Sequence, residues 1–257
     1  MWSFFDLKID ENAIAVLTFS RPPANALSEQ VYREISDVSR AIDGRDDIGA
    51  IVLCAPAEAK AWCAGADLKE LQSGTGLSRA QRYALINASY EVFYNIKRPV
   101  IAAMNGSAIG GGLAWASLCD MRIGAVEAAY GLTEIQHGMP AGLTGFFNRL
   151  SMPEAQLREM MFTGARYSGR DLDSSGFFNK VVAKDAVFEV AYDLARRMSK
   201  HSGPALRITK IMANEAEQGR WIDNYVAFQR HAIELAEAAD EAGGEAKAIA
   251  IERSPEP

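Results

Sequence analysis

Cysteine, histidine and surplus positive charge are all scarce in this 257-residue chain, and each shortage excludes something. The three cysteines, Cys54, Cys63 and Cys119, have no paired spacing of the kind that holds zinc. No metal site is expected. An odd number of cysteines, without a secretory leader, predicts reduced thiols in a cytoplasmic compartment, packed as small hydrophobes. The opening "MWSFFDLKIDENA" has neither a basic start nor a long apolar stretch, so no signal peptide is expected. A net charge of −6 provides no basic stripe for nucleic acid. No run approaches the roughly 18 apolar residues of a membrane span, so no membrane partner is expected. What remains is ordinary for a globular domain: 49% hydrophobic and 23% charged residues, ample for one large core with an appendage.

Along the chain, strand and helix patterns alternate in the first half. "IAVLTF" (14–19), "IGAIVLC" (48–54), "PVIAAMNG" (99–106), "MRIGA" (121–125) and "KVV" (180–182) read as strands. "RPPANALS" (21–28) is a turn ending at a helix cap, Ser28. From Glu29 the residues Val31, Ile35, Val38 and Ile42 fall on one helical face. Further helices are predicted near 78–96, 111–118 and 153–162. After about residue 185 strands stop, and 186–202, 204–219 and 221–241 all read as helices. The tail "RSPEP" (253–257) is expected to fray. This pattern predicts an α/β core, residues 1–200, followed by a C-terminal helical region, residues 201–257.

Two segments offer backbone chemistry. In "AWCAGADLKEL" (61–71), small residues precede Asp67 at the start of a short helix, where unpaired N–H groups face outward. In "AIGGGLAWASLCD" (108–120), three consecutive glycines follow a strand and open a helix with no ionisable side chain before Asp120. The spacing matches neither the dinucleotide fingerprint nor a phosphate loop. Two amide sites together suit a developing oxyanion, where losing one donor costs roughly 3–4 kcal/mol.

"AWCAGADLKEL", "RPVIAAMNGSAIGGGLAWASLCDMRIGA" (98–125) and "YGLTEIQHGMPAG" (130–142), in this order and spacing, resemble the crotonase superfamily, the enoyl-CoA hydratase/isomerase family. The likeness covers about residues 9–240. It implies a spiral core of repeated β-β-α units with a C-terminal helical trimerisation region, assembled as homotrimers or hexamers. It further implies an acyl-CoA thioester substrate and no separate cofactor beyond coenzyme A itself. Carried over by position, the oxyanion amides belong to Ala66 and Gly111, and the catalytic carboxylate is Glu134. Ala64, Asp67 and Leu68 would lie along the coenzyme A chain, and Ala24 near its nucleotide end.

One departure bears on the reaction. The family's hydratases carry two glutamates that hold and activate water; here Ala114 fills one post and only Glu134 remains. A single carboxylate suffices to carry a proton from the α- to the γ-carbon of a 3-enoyl thioester, so double-bond isomerisation is the leading expectation. Hydration, alone or followed by carbon–carbon cleavage, needs a substitute for the missing group, with Glu70 and His137 the nearest polar candidates. Decarboxylation and a non-catalytic acyl-CoA binder remain alternatives. Among the other residues, His201 and His231 read as structural or exposed, Asp120 as a capping or pairing carboxylate, and Trp62 and Trp115 as core. Trp221, Tyr225 and Phe228 read as subunit contacts.

Overall fold

The strand expected at 14–19 pairs antiparallel with an unpredicted neighbour: β1 (Phe5–Ile9) runs beside β2 (Ile14–Phe19), with Phe5 opposite Phe19. The computed structural model describes residues 2–73, 76–141 and 152–241. Next come β3 (Ala26–Leu27), α1 (Glu29–Asp43), β4 (Ala50–Cys54), β5 (Ala61–Cys63), β6 (Gly65–Ala66), α2 (Leu68–Gln72) and α3 (Arg79–Tyr94). The chain continues through β7 (Val100–Met104), β8 (Ser107–Ile109), α4 (Gly111–Ser117), β9 (Met121–Ala125), β10 (Ala129–Gly131) and a 3-10 turn over Glu134–His137. It then forms α5 (Glu154–Thr163), β11 (Arg166–Ser168), α6 (Gly169–Leu172), β12 (Lys180–Val182), α7 (Val187–Ser199) and α8 (Gly203–Glu241).

The long strands make a six-stranded sheet ordered β1-β2-β4-β7-β9-β12, parallel from β2 onward. After β2, β4, β7 and β9 comes a short strand that leaves this sheet. β5, β8 and β10 join β11 in a second sheet, while β3 pairs with β6. A helix or helical turn then brings the chain back. Successive β-β-α turns of one spiral result, the architecture the resemblance implied.

Alternation along the central strands explains why both faces of β4 and β7 are dry. Ala50, Val52, Cys54, Ile101, Ala103 and Ile123 pack against Val187, Ala191 and Ala195 of α7. Ile51, Leu53, Val100, Ala102 and Met104 face the main core with α1, α3 and α4. A parallel strand covered on both faces reads as a continuous apolar run, as β4 and β7 do.

α1 starts where the sequence placed it: the Ser28 hydroxyl accepts the Val31 N–H at 3.3 Å. The two helices expected at 204–219 and 221–241 are one, α8, which passes through Gly219 without a break. A glycine inside a helix costs only about 1 kcal/mol, too little by itself to end one. Buried Lys210 donates to the Arg98 carbonyl at 2.9 Å and to the Asp120 carboxylate at 2.8 Å. Asp120 in turn accepts the Val100 N–H at 2.7 Å, so it pairs rather than catalyses. The Asn214 side chain also donates to the Tyr94 carbonyl, tying α8 to α3. Residues 253–257 lie outside the described residues, as do the side chains of Trp221, Tyr225 and Phe228. No described helix is long and apolar enough to cross a membrane.

Candidate active site

The two small-residue segments singled out in the sequence meet in space. β6 lies beside β3, with Leu27 opposite Ala66, and the Ala64 N–H donates to the Ala24 carbonyl at 3.2 Å. Asn25 pins this turn, its side chain donating to the Ala61 carbonyl and accepting the Arg21 N–H. Gly65 has φ +84°, and a β-carbon there would stand 2.5 Å from the Ile109 carbonyl and 3.4 Å from the Gly111 nitrogen. Only glycine allows the approach. Gly111 is the first residue of α4, so its N–H lies outside the helical ladder.

Gly110, φ +52°, turns the chain into α4. Its N–H donates to the Gly131 carbonyl at 2.8 Å, and its carbonyl accepts the Ala114 N–H at 3.0 Å. Because β10 runs parallel to β8 with Gly131 opposite Ile109, the chain just after β10 is carried alongside the glycine turn. That register delivers Glu134. A β-carbon on Gly110 would stand 2.9 Å from its Oε1 and 3.2 Å from its carboxyl carbon.

Glu134 is half-buried as a residue, and the carboxyl is the buried part. Its Oε2 is sealed from solvent and has no hydrogen-bond partner among the described residues. Burial pushes the carboxyl up to about 7, only partly offset by a hydrogen bond from its own backbone N–H. The 3-10 turn that carries it is braced by the Gln136 amide, which donates to the Gly164 carbonyl at 3.2 Å. Ala114 is buried one helical turn beyond Gly110 and offers only a methyl group.

Sequence reasoning missed the aromatic side of this site. Leu27, Tyr32 and Tyr90 surround Gly111, and the Tyr90 hydroxyl donates to the Gly111 carbonyl at 2.9 Å. One signal was present, since Tyr32 stands three residues before Ile35 on the apolar face of α1. Tyr90 has no comparable signature, because α3 carries little amphipathic pattern to mark its inner face.

The other candidates fall into distinct places. Ala24, Ala64, Ala66 and Asp67 are half-buried along the β3–β6 edge, and Leu68 is exposed. Asp67 caps α2, accepting the Lys69 and Glu70 N–H groups, and pairs with Arg21 at 2.6 Å. These hydrogen bonds hold its carboxyl below the usual range despite partial burial. Glu70 accepts the Glu29 N–H and pairs with Arg82, which also holds Glu29. His137, His201 and His231 are exposed, the last bonded to Glu234. Trp62 and Trp115 pack against each other in the core at 5.5 Å. The three cysteines are free and buried, and burial pushes Cys63 up to about 12. No cluster of three potential metal ligands occurs among the described residues.

Comparison with known proteins gives a consistent result. The family model described as enoyl-CoA hydratase/isomerase matches residues 10–241. A probable enoyl-CoA hydratase of Rhizobium meliloti (strain 1021) is 33% identical over 210 residues, 80% of this chain and 79% of that protein. A short-chain-enoyl-CoA hydratase of Clostridium acetobutylicum is 30% identical over 226 residues, covering 88% of this chain and 85% of that protein. Among solved structures, a carnitinyl-CoA dehydratase from Mycobacterium avium 104 superposes with a TM-score of 0.79 at 26% identity, over 94% of this chain and 95% of that one.

Proposed function

The chain belongs to the enoyl-CoA hydratase/isomerase family of acyl-CoA enzymes, and on that premise we propose that it moves a proton within an enoyl-CoA thioester, shifting its double bond. The observation that carries this reading is the lone buried carboxyl of Glu134 beside Gly110, with the methyl of Ala114 at the family's second acidic post.

In this reading the thioester carbonyl lies between the N–H groups of Ala66 and Gly111. Removal of an α-proton from a 3-enoyl thioester leaves a dienolate whose oxygen carries the charge, and the two donors are aimed where that charge develops. Glu134 takes the α-proton as a carboxylate and returns it, now as an acid, to the γ-carbon. The electron pairs shift from the β,γ to the α,β double bond, so atoms and charge balance without water. A carboxyl raised to about 7 suits both halves, because it exchanges a proton readily near neutrality. Coenzyme A would run along Ala64, Asp67 and Leu68, with Ala24 toward the nucleotide. Acyl-CoA is the only partner molecule this mechanism requires, with no further cofactor; assembly as trimers or hexamers through the C-terminal helices remains part of the same proposal.

Hydration is the second reading, favoured by the names of the relatives. It needs another group to hold water, and the two substitutes weighed from the sequence are placed unhelpfully. Glu70 is committed to Arg82, and His137 is exposed. The test is substrate choice, with conjugated thioester absorbance followed on trans-3-hexenoyl-CoA and separately on trans-2-hexenoyl-CoA. Absorbance gained with the first substrate supports isomerisation. Absorbance lost with the second, and none gained with the first, replaces it with hydration.

A further inference from the structure

Two buried phenols meet beside the glycine turn, and the mechanism above uses neither. Tyr32 is 3% and Tyr90 2% exposed, and their rings pack edge-on at 5.8 Å. Both hydroxyls point to the same side of Gly111, and that of Tyr90 donates to the Gly111 carbonyl at 2.9 Å. A β-carbon on Gly111 would come within 3.5 Å and 3.6 Å of the two hydroxyl oxygens and 3.2 Å of Leu27 Cδ1. This side of Gly111 is therefore filled.

We propose that Tyr90, oriented by Tyr32, is a positioning residue for the oxyanion donor at Gly111. It rests on the reading of Ala66 and Gly111 as the thioester clamp. Three successive glycines carry the largest backbone freedom, and each residue fixed costs about 1–2 kcal/mol. Gly110 is tied at both ends of its peptide, by the Gly131 carbonyl and the Ala114 N–H. Gly111 has no side chain to pack, so its orientation depends on the first turn of α4 and on what else holds its carbonyl. Fixing the peptide after Gly111 restricts rotation about that residue and aims the N–H before it.

The pair acts by holding, not by proton transfer. Burial pushes the Tyr32 phenol above its ordinary range, so it stays neutral. Removing either hydroxyl should leave the pH profile of the reaction where it is. A misaimed donor is felt mainly in the transition state, so kcat should fall about tenfold for Tyr90→Phe while KM stays within about twofold.

The experiment uses butyryl-CoA carrying 13C at the thioester carbonyl, a saturated probe with no double bond to move. Its carbonyl resonance on binding is compared in the wild type, Tyr90→Phe, Tyr32→Phe and Tyr94→Phe. Tyr94 is a control on the same helix, because its hydroxyl bonds Asn214 and Glu217 of α8. The expected result is a downfield displacement in the wild type and Tyr94→Phe, at least halved in Tyr90→Phe and reduced in Tyr32→Phe. Full displacement with unchanged kcat in Tyr90→Phe overturns the proposal and leaves the clamp standing. Should Tyr90→Phe fail to fold, full displacement in Tyr32→Phe overturns it equally. No displacement in the wild type overturns the clamp itself, and the proposal with it.

Discussion

The carboxyl of Glu134 occupies the space into which a side chain on Gly110 would project, 2.9 Å from where that β-carbon would stand. A residue at the end of one spiral turn thus reaches the opening of the helix in the turn before it. The parallel pairing of β8 with β10 sets this relationship, and the mechanism depends on it.

Gly110→Ala tests the contact directly. The new methyl group meets Oε1, and φ +52° with ψ −121° lies outside even the left-handed region open to L-residues, a strain of roughly 1–3 kcal/mol. The expected outcome is a lower melting temperature and a kcat reduced by about a hundredfold or more, since the base is pushed from its position.

In the proposed mechanism the carboxylate form of Glu134 is the base, so kcat/KM for a 3-enoyl-CoA should fall below about pH 7 and level off above it. A pH–rate profile checks this. A midpoint near the ordinary value of 4.5 would show that the carboxyl is not buried in the working enzyme.

Stability carries the opposite sign. The folded-state carboxyl is raised above its unfolded value, so the folded chain holds the proton more tightly. That contribution is fully present below about pH 4.5 and is lost as the pH rises through about 7. Glu134→Gln removes the buried charge. It should stabilise the protein by on the order of 2–3 kcal/mol at pH 8 and by little at pH 4, measured by denaturant unfolding.

Ala114→Glu restores a second acidic group two residues after the glycine run. Hydration of 2-enoyl-CoA should rise, because two carboxylates can then position water between them. Burying a second charge near the first should also lower stability and raise the Glu134 midpoint further, both visible in the same pH series.

Long elements were legible in the sequence because many residues share the signal. Ser28, Val31, Ile35 and Ile42 mark α1 at the correct boundary, and the apolar runs of β4 and β7 reveal strands covered on both faces. The short strands were not. β3 and β6 have two residues each, too few for any period to show, yet they bring Ala24 to Ala64 and Leu27 to Ala66. The adjacency of the glycine turn, Ala66 and Glu134 was therefore available only through resemblance, position by position. Ion pairing between distant segments was equally silent. Glu70 and Arg82 lie in different helices, and nothing in "DLKEL" announces that Glu70 is already taken. His137 stands three residues after Glu134, but the 3-10 turn buries the Glu134 carboxyl and leaves the histidine exposed, so that spacing by itself says nothing of a pair.

In the proposed mechanism one buried carboxyl carries a single proton between two carbons. The most direct measurement of this is transfer of label from trans-3-hexenoyl-CoA deuterated at the α-carbon, in ordinary water, with the product's γ-carbon read by mass spectrometry early in the reaction. Deuterium is expected at the γ-carbon, because burial of the carboxyl, with Oε2 shielded from solvent, slows exchange relative to transfer. Product formed at a normal rate with only protium at that carbon would contradict it.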